Sequence, residues 1–161
     1  MNLILRRATA SDSRFLFDLR NEESVRRVSG NPDPIRFETH TEWFAIKLAR
    51  NESVILIAEA DNKAMATIRF DFADAENAHI SIALMREYRG RGYGTEIIKK
   101  TTAHFLAKHP RVASVRAYIN AGNEPSLRSF TKAGYEMKDM SEKDGLRRHI
   151  LVFSRQPIAT P

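Results

Sequence analysis

The stretch YRGRGYG, Tyr88–Gly94, places three of the chain's seven glycines and two arginines in seven positions. It follows HISIALM (79–85), which reads as a strand, and precedes TEIIKKTTAHFL (95–106), where Ile97, Ile98, Thr101, Phe105 and Leu106 recur at helical spacing. A strand that enters a helix through glycines leaves the first helical amides unpaired and lets a ligand approach bare backbone. Those amides and the positive end of the helix suit a phosphate, and Arg86, Arg89 and Arg91 add charge beside them. Two common phosphate loops are excluded by spacing. A Walker loop needs Lys-Ser/Thr after its last glycine, where this chain has Thr95-Glu96, and the dinucleotide fingerprint G-x-G-x-x-G is here G-x-G-x-G.

Working outward, LILRRA (3–8) reads as a strand, and TASD (9–12) has the form of a helix start ahead of Phe15, Leu16 and Leu19. SGNPDP (29–34) is a turn-rich stretch, and ETHTEWFAIKLA (38–49) reads as a helix. SVILIAEA (53–60) and AMATIRFDF (64–72) form a hairpin joined by DNK. VASVRAYI (112–119) reads as a strand, NEPSLRSFTKAGY (123–135) as a helix with Pro125 near its start and Gly134 near its stop, and GLRRHILVFS (145–154) as the last strand. The order β-α-α-β-β-β-α-β-α-β predicts a single mixed α/β domain over 1–154, with RQPIATP (155–161) as a loose tail. No internal repeat interrupts it.

Composition narrows the chemistry. With no cysteine there is no disulfide, no thiolate metal site and no thioester intermediate on the protein, and no metal is expected. A net charge of +6 favours an anionic partner. The amino end turns polar after MNLIL, unlike a secretory signal, and no window approaches the roughly 20 apolar residues of a membrane span. A cytoplasmic protein is the simplest reading.

R-x-x-G-x-G at Arg89–Gly94 sits after ISIALM and ahead of NEPSLRSFTKAGY, whose asparagine, helix and terminal Gly-Tyr pair form a second motif. In both motifs, and in strand order over nearly the whole chain, the sequence resembles the GCN5-related N-acetyltransferase (GNAT) superfamily. The resemblance implies a mixed central sheet of about six to seven strands flanked by about four helices, and acetyl-coenzyme A as acetyl donor. It implies that Arg89, Gly90, Arg91, Gly92, Tyr93, Gly94 and Thr95 hold the donor's pyrophosphate, that Ile82 and Leu84 pair with its pantetheine arm, and that Asn123 contacts that arm. The Leu84 amide is the group that polarises the acetyl carbonyl, although Asn123 also has the form of a helix N-cap. At the usual acid–base positions the chain departs from the family. Ala78 stands where a strand glutamate is common, with His79 beside it; Tyr118 takes the corresponding place on the next strand; and Phe130 replaces the helix tyrosine. His79 is then a base or water relay, or a structural histidine, and Tyr118 a proton donor to the thiolate, or a cap on the core.

LRNEESVRRVSGNPDPIRFETHTEWF (19–44) resembles acetyltransferases of nucleotide-activated amino sugars, of the pseudaminic-acid type. That likeness implies an acceptor site at Arg20, Asn21, His40 and Trp43, with Arg26 and Arg27 near a diphosphate and Phe44 in the core. A weaker likeness runs to ribosomal-protein N-terminal acetyltransferases, with small-amine acetylation beside it. Should the acceptor site lie elsewhere, Arg69, Asp71 and His79 form the other wall. Two readings of another class compete: RGRGYG as an RNA-binding RGG-like segment, and a non-catalytic acyl-coenzyme A binder prompted by Phe130. The assembly stays open between a monomer and a homodimer.

Overall fold

The computed structural model describes residues 2–157. Seven strands form one sheet in the order β1-β2-β3-β4-β5-β7-β6. β1 (Leu3–Arg7) pairs antiparallel with β2 (Ser53–Ala60), which forms a hairpin with β3 (Lys63–Phe72). The hairpin turn is tighter than DNK, because Asp61 and Asn62 alone make it, at φ 51° and 62°, the left-handed pair that a two-residue turn requires. β3 pairs along its length with β4 (Asn77–Leu84).

β4 and β5 (Ser114–Asn120) are the one parallel pair, linked by the crossover helix α4 (Tyr93–Lys108). Their ladder covers only Asn77–His79 against Ser114–Arg116, and beyond it the strands part. β5 instead pairs over its whole length with β7 (Leu146–Ser154).

Alternation sorts the side chains between the two faces. Leu56, Ile68, Phe70, Ile80, Val115 and Leu151 pack under α4 and α5 (Glu124–Lys132) in the larger core, where Phe70 and Phe105 stack at 4.1 Å. On the other face Ile55 and Ile57 meet Leu16 of α1 (Ser13–Asn21) and Phe44 of α3 (Phe37–Ala49). Between these helices lies α2 (Glu23–Arg26), one short turn that the sequence reading leaves out.

One strand must be added to the expected order. β6 (Glu136–Lys143), EMKDMSEK, is a strand that the sequence reading misses: it is an exposed edge with a register shift between Met137 and Asp139, so alternation is lost. The signal for it is Asp144-Gly145, both left-handed, a two-residue hairpin turn. Arg155, the first residue of the expected tail, donates to the carbonyls of Val112 (3.0 Å), Leu106 (2.7 Å) and His109 (3.0 Å). The rest of the expected tail, 158–161, lies outside the described residues.

Candidate active site

The Met85 amide donates to Met65 O on β3, and residues along an antiparallel strand alternate in the side to which their backbone groups point. The amides and carbonyls of Ile82 and Leu84 therefore turn away from β3, toward the gap left where β5 departs. Apart from the Leu84 carbonyl, which accepts from Arg89, this is an open strand edge inside the molecule, able to pair with an extended ligand chain.

At its end the chain makes a short turn, Arg86–Tyr88, and enters the glycines. Gly90 and Gly92 are left-handed, φ 73° and 84°, and a Cβ on either would meet nothing within 4 Å. Gly92 is the N-cap of α4, and the first bond there runs from the Glu96 amide to Gly92 O. The amides of Tyr93, Gly94 and Thr95 are thus the helix's unpaired donors. Gly94 differs from the other two: its φ is not left-handed, and a Cβ there would lie 3.4 Å from Ser129 Oγ of α5, an ordinary contact. A diphosphate fits this cradle of bare backbone, with exposed Arg91 beside it.

Arg89 does not project from the loop as a free cation. Its Nε donates to Leu84 O (2.8 Å), its Nη1 to Ser24 Oγ (2.7 Å) and its Nη2 to Glu22 Oε1 (3.3 Å). The side chain braces the loop against the end of β4 and the α1–α2 corner. Asn123 caps α5, its Oδ1 accepting from the Ser126 amide, and also lines the cleft; its side-chain nitrogen is the group left for a ligand.

The gap widens into a cleft of about 610 Å³ between the sheet and the α1–α3 layer. Arg20, His40 and Trp43 line it from the helices; Thr67, Arg69, Ser81, Tyr118 and Asn120 line it from the sheet, and Arg148 stands near Gly30 at its rim. No carboxylate lines it among the described residues. Arg20 Nη2 donates to Asn31 O (2.8 Å), whereas its Nη1 is buried without a partner. Burial, with Arg26 and Arg69 nearby, pulls this guanidinium below its usual range, though it keeps its charge. His40 is 2% exposed among Phe17, Trp43 and Phe44, its Nε2 also unpartnered, and burial lowers its pKa against a smaller opposing effect of the Ser13 backbone. Arg69 is held from behind by Asp71 (2.7 Å) and lies over the Trp43 ring at 5.4 Å. Asp71 in turn accepts from Ser53 and Lys47, so it faces away from the cleft lining.

Of the other residues singled out from sequence, Asn21, Arg26, Arg27 and His79 stand outside the cleft lining, whereas Tyr118 and Phe130 belong to it. Asn21 is not among the residues lining the cleft: its Nδ2 donates to Ile35 O (2.8 Å) and its Oδ1 accepts from the Ile35 amide (2.9 Å), so both ends clamp the 31–36 loop. Arg26 is spent on the carbonyls of Asn21 and Pro32, and Arg27 on Glu23. His79 is outside the cleft lining, packed edge-on against Tyr118 at 5.1 Å. Tyr118 is 40% exposed and faces the cleft. Phe130 is buried edge-on to Tyr135 at 5.0 Å and also lines the cleft. Tyr135 itself bonds Thr102 (2.7 Å), and burial pushes its pKa up. RGRGYG is not an unstructured arm; it forms a turn and a helix cap. Arg148, Ser81 and Asn120 are the residues sequence reasoning misses; strand alternation, which puts Thr67, Arg69, Ser81, Tyr118 and Arg148 on one face, is the signal that finds most of them.

The model of the family described as acetyltransferase (GNAT) domain matches residues 2–136. YwnH of Bacillus subtilis (strain 168), a candidate phosphinothricin acetyltransferase by name, is 28% identical over 142 residues, covering 81% of this chain and 84% of YwnH. Among solved structures, AAC(6')-Ib in complex with ribostamycin and coenzyme A superposes with a TM-score of 0.84 at 18% identity, over 96% of this chain and 94% of that one. Spermidine N-acetyltransferase from Vibrio cholerae, in complex with coenzyme A and spermine, superposes at 0.83 with 14% identity, over 94% and 95%. At these identities the structural likeness concerns the fold.

Proposed function

Because this chain belongs to the GNAT acetyltransferase family and is an N-acetyltransferase that draws its acetyl group from acetyl-coenzyme A, we propose that its acceptor is a small primary amine that also carries an anionic group. One observation carries the reading: three guanidinium groups, those of Arg20, Arg69 and Arg148, line one cleft with no carboxylate among the described lining residues. A carboxylate, phosphinate or phosphate on the acceptor balances that charge and accepts charge-assisted hydrogen bonds from it. A polyamine such as spermine needs acidic partners, and the lining offers none. The name of YwnH supports the same reading, since phosphinothricin is an amino acid with a phosphinate group.

Acetyl-coenzyme A supplies an activated acyl group as a thioester. The amides of Tyr93, Gly94 and Thr95 would hold its diphosphate, and Ile82 and Leu84 its extended arm. The Leu84 amide would be the donor available to the acetyl oxygen, a contribution of a few kcal/mol. Arginines around the acceptor favour a neutral amine over an ammonium, which eases loss of its proton before attack. Tyr118 is the cleft hydroxyl that donates to the departing thiolate, and His79, edge-on behind it, sets its ring. Phe130 has no hydroxyl to donate and offers the cleft an apolar surface.

A nucleotide-activated amino sugar also meets the charge requirement through its diphosphate. We prefer a more compact acceptor because Arg69 already covers one face of Trp43, the ring a nucleobase would use. The cytoplasm, where acetyl-coenzyme A is made and used, is the compartment that fits this reading.

The test incubates the protein with acetyl-coenzyme A and a panel of amines: phosphinothricin, other amino acids, amino-sugar nucleotides, spermidine and an aminoglycoside. Products are read by mass spectrometry. Acetylation of anion-bearing amines ahead of the polyamines is expected; the opposite order removes the proposal.

A further inference from the structure

We infer that Asp71, which stands outside the cleft lining, sets acceptor specificity by holding Arg69 over Trp43 with the outer edge of its guanidinium left for the acceptor's anionic group. The inference deepens the reading above and rests on it for the acceptor's charge; the hold on Arg69 is tested separately.

Two elements meet in register here. Arg69 and Asp71 are two apart on β3 and share one face of the sheet, while Trp43 and Lys47 are four apart on α3 and share one face of the helix. The guanidinium carbon of Arg69 lies 5.4 Å from the centre of the Trp43 ring, and Lys47 Nζ lies 3.2 Å from Asp71 Oδ1. The carboxylate is itself fixed. Ser53, its partner on β2, donates to the same oxygen at 2.5 Å, and Lys47 also donates to Ser53 Oγ at 3.2 Å. Oδ2 is left for Arg69, whose Nε donates to it at 2.7 Å.

That bond takes Nε alone. Nη1 and Nη2 of Arg69 have no acceptor among the described residues, and the side chain is 34% exposed, within reach of a ligand in the cleft it lines. A planar guanidinium tied at Nε and backed by an aromatic face presents its two remaining amino groups as a fork for a carboxylate or phosphinate. The tie matters because Arg20 lies close enough for the two guanidiniums to repel. Untied, the long side chain of Arg69 would swing toward solvent. Asp71 offsets the repulsion without cancelling the charge of the site, since its one carboxylate lies between two cations, Lys47 and Arg69. An anion on the acceptor completes the pairing, and Asp71 is a positioning residue that touches neither substrate.

Trp43 is the one tryptophan of the chain, so its emission reports on the guanidinium above it without any ligand. Asp71→Asn and Arg69→Gln should shift that emission alike. With phosphinothricin as acceptor, each should raise KM about tenfold, with kcat moved far less and coenzyme A affinity constant. The double variant should be no worse than Arg69→Gln alone, because Asp71 acts only through Arg69. Where Asp71→Asn lowers the melting temperature too far, Ser53→Ala loosens the carboxylate and keeps every charge; it should raise KM about threefold and shift the emission in the same direction. Emission unchanged in Asp71→Asn and Ser53→Ala, or KM effects of Asp71→Asn and Arg69→Gln that add in full, overturns the inference. If the panel above favours polyamines, the anion reading falls and the kinetic arm with it, while the emission still decides whether Asp71 holds Arg69.

Discussion

At Gly92 the backbone is left-handed, φ 84°, and the space where a side chain would begin is open. A methyl group there strains the backbone by about 1–2 kcal/mol without a clash, so Gly92→Ala should fold with a lowered melting temperature. Gly92→Asp adds a negative charge beside the phosphate amides and should weaken coenzyme A binding at least about tenfold, measured by calorimetry. Gly94→Ala should leave both properties nearly unchanged, because its φ is ordinary and Ser129 stays at contact distance. The three glycines were legible as a unit in the sequence, but their separate roles were not, since φ and neighbours decide them. The same limit applies to side chains. Arg20 and Asn21 are adjacent in an R-N pair, yet one faces the cleft and the other clamps Ile35, a difference set by helix rotation rather than residue type.

Among elements, the parting of β4 and β5 after three ladder positions creates the site. Motif order implied that parallel pair, since a strand, a glycine turn and a long helix make a crossover. The extent of the gap was not legible, because strand pairing depends on contacts distant in sequence. β6 was hidden for a related reason: a polar edge strand carries no alternation, and only Asp144-Gly145 announces it. The 31–36 loop, held by the Asn21 clamp, contributes Ile35 to the cleft. Asn21→Ala should therefore raise the acceptor KM several-fold while coenzyme A affinity stays constant, measured by steady-state kinetics beside calorimetry. On the far side, truncating Phe105 in its stack with Phe70 should cost about 3–5 kcal/mol and depress all activities together.

The whole molecule carries +6 and concentrates part of that charge on the lining of one cleft, where no carboxylate stands among the described residues. Its stability should depend on pH through two imidazoles, the buried one of His40 and the partly buried one of His109. Burial lowers the pKa of His40 and of His109, so both are held neutral in the fold, while the unfolded chain takes up protons below about 6.5. Their contribution is complete above that value and is lost as pH falls toward their folded pKa values; the melting temperature should drop through this range, and less steeply in His40→Gln. Net charge alone pointed to an anionic partner; the fold is what brings Arg20, Arg69 and Arg148, distant in sequence, to one surface. The most direct measurement compares kcat/KM for phosphinothricin and for spermidine in the wild type and in Arg20→Gln, with acetyl transfer read by thiol release. The wild type should favour phosphinothricin by about tenfold or more, one good ionic contact's worth, and Arg20→Gln should lose most of that preference with coenzyme A affinity intact. Faster turnover of spermidine, or a preference untouched by Arg20→Gln, would contradict an anion-bearing acceptor.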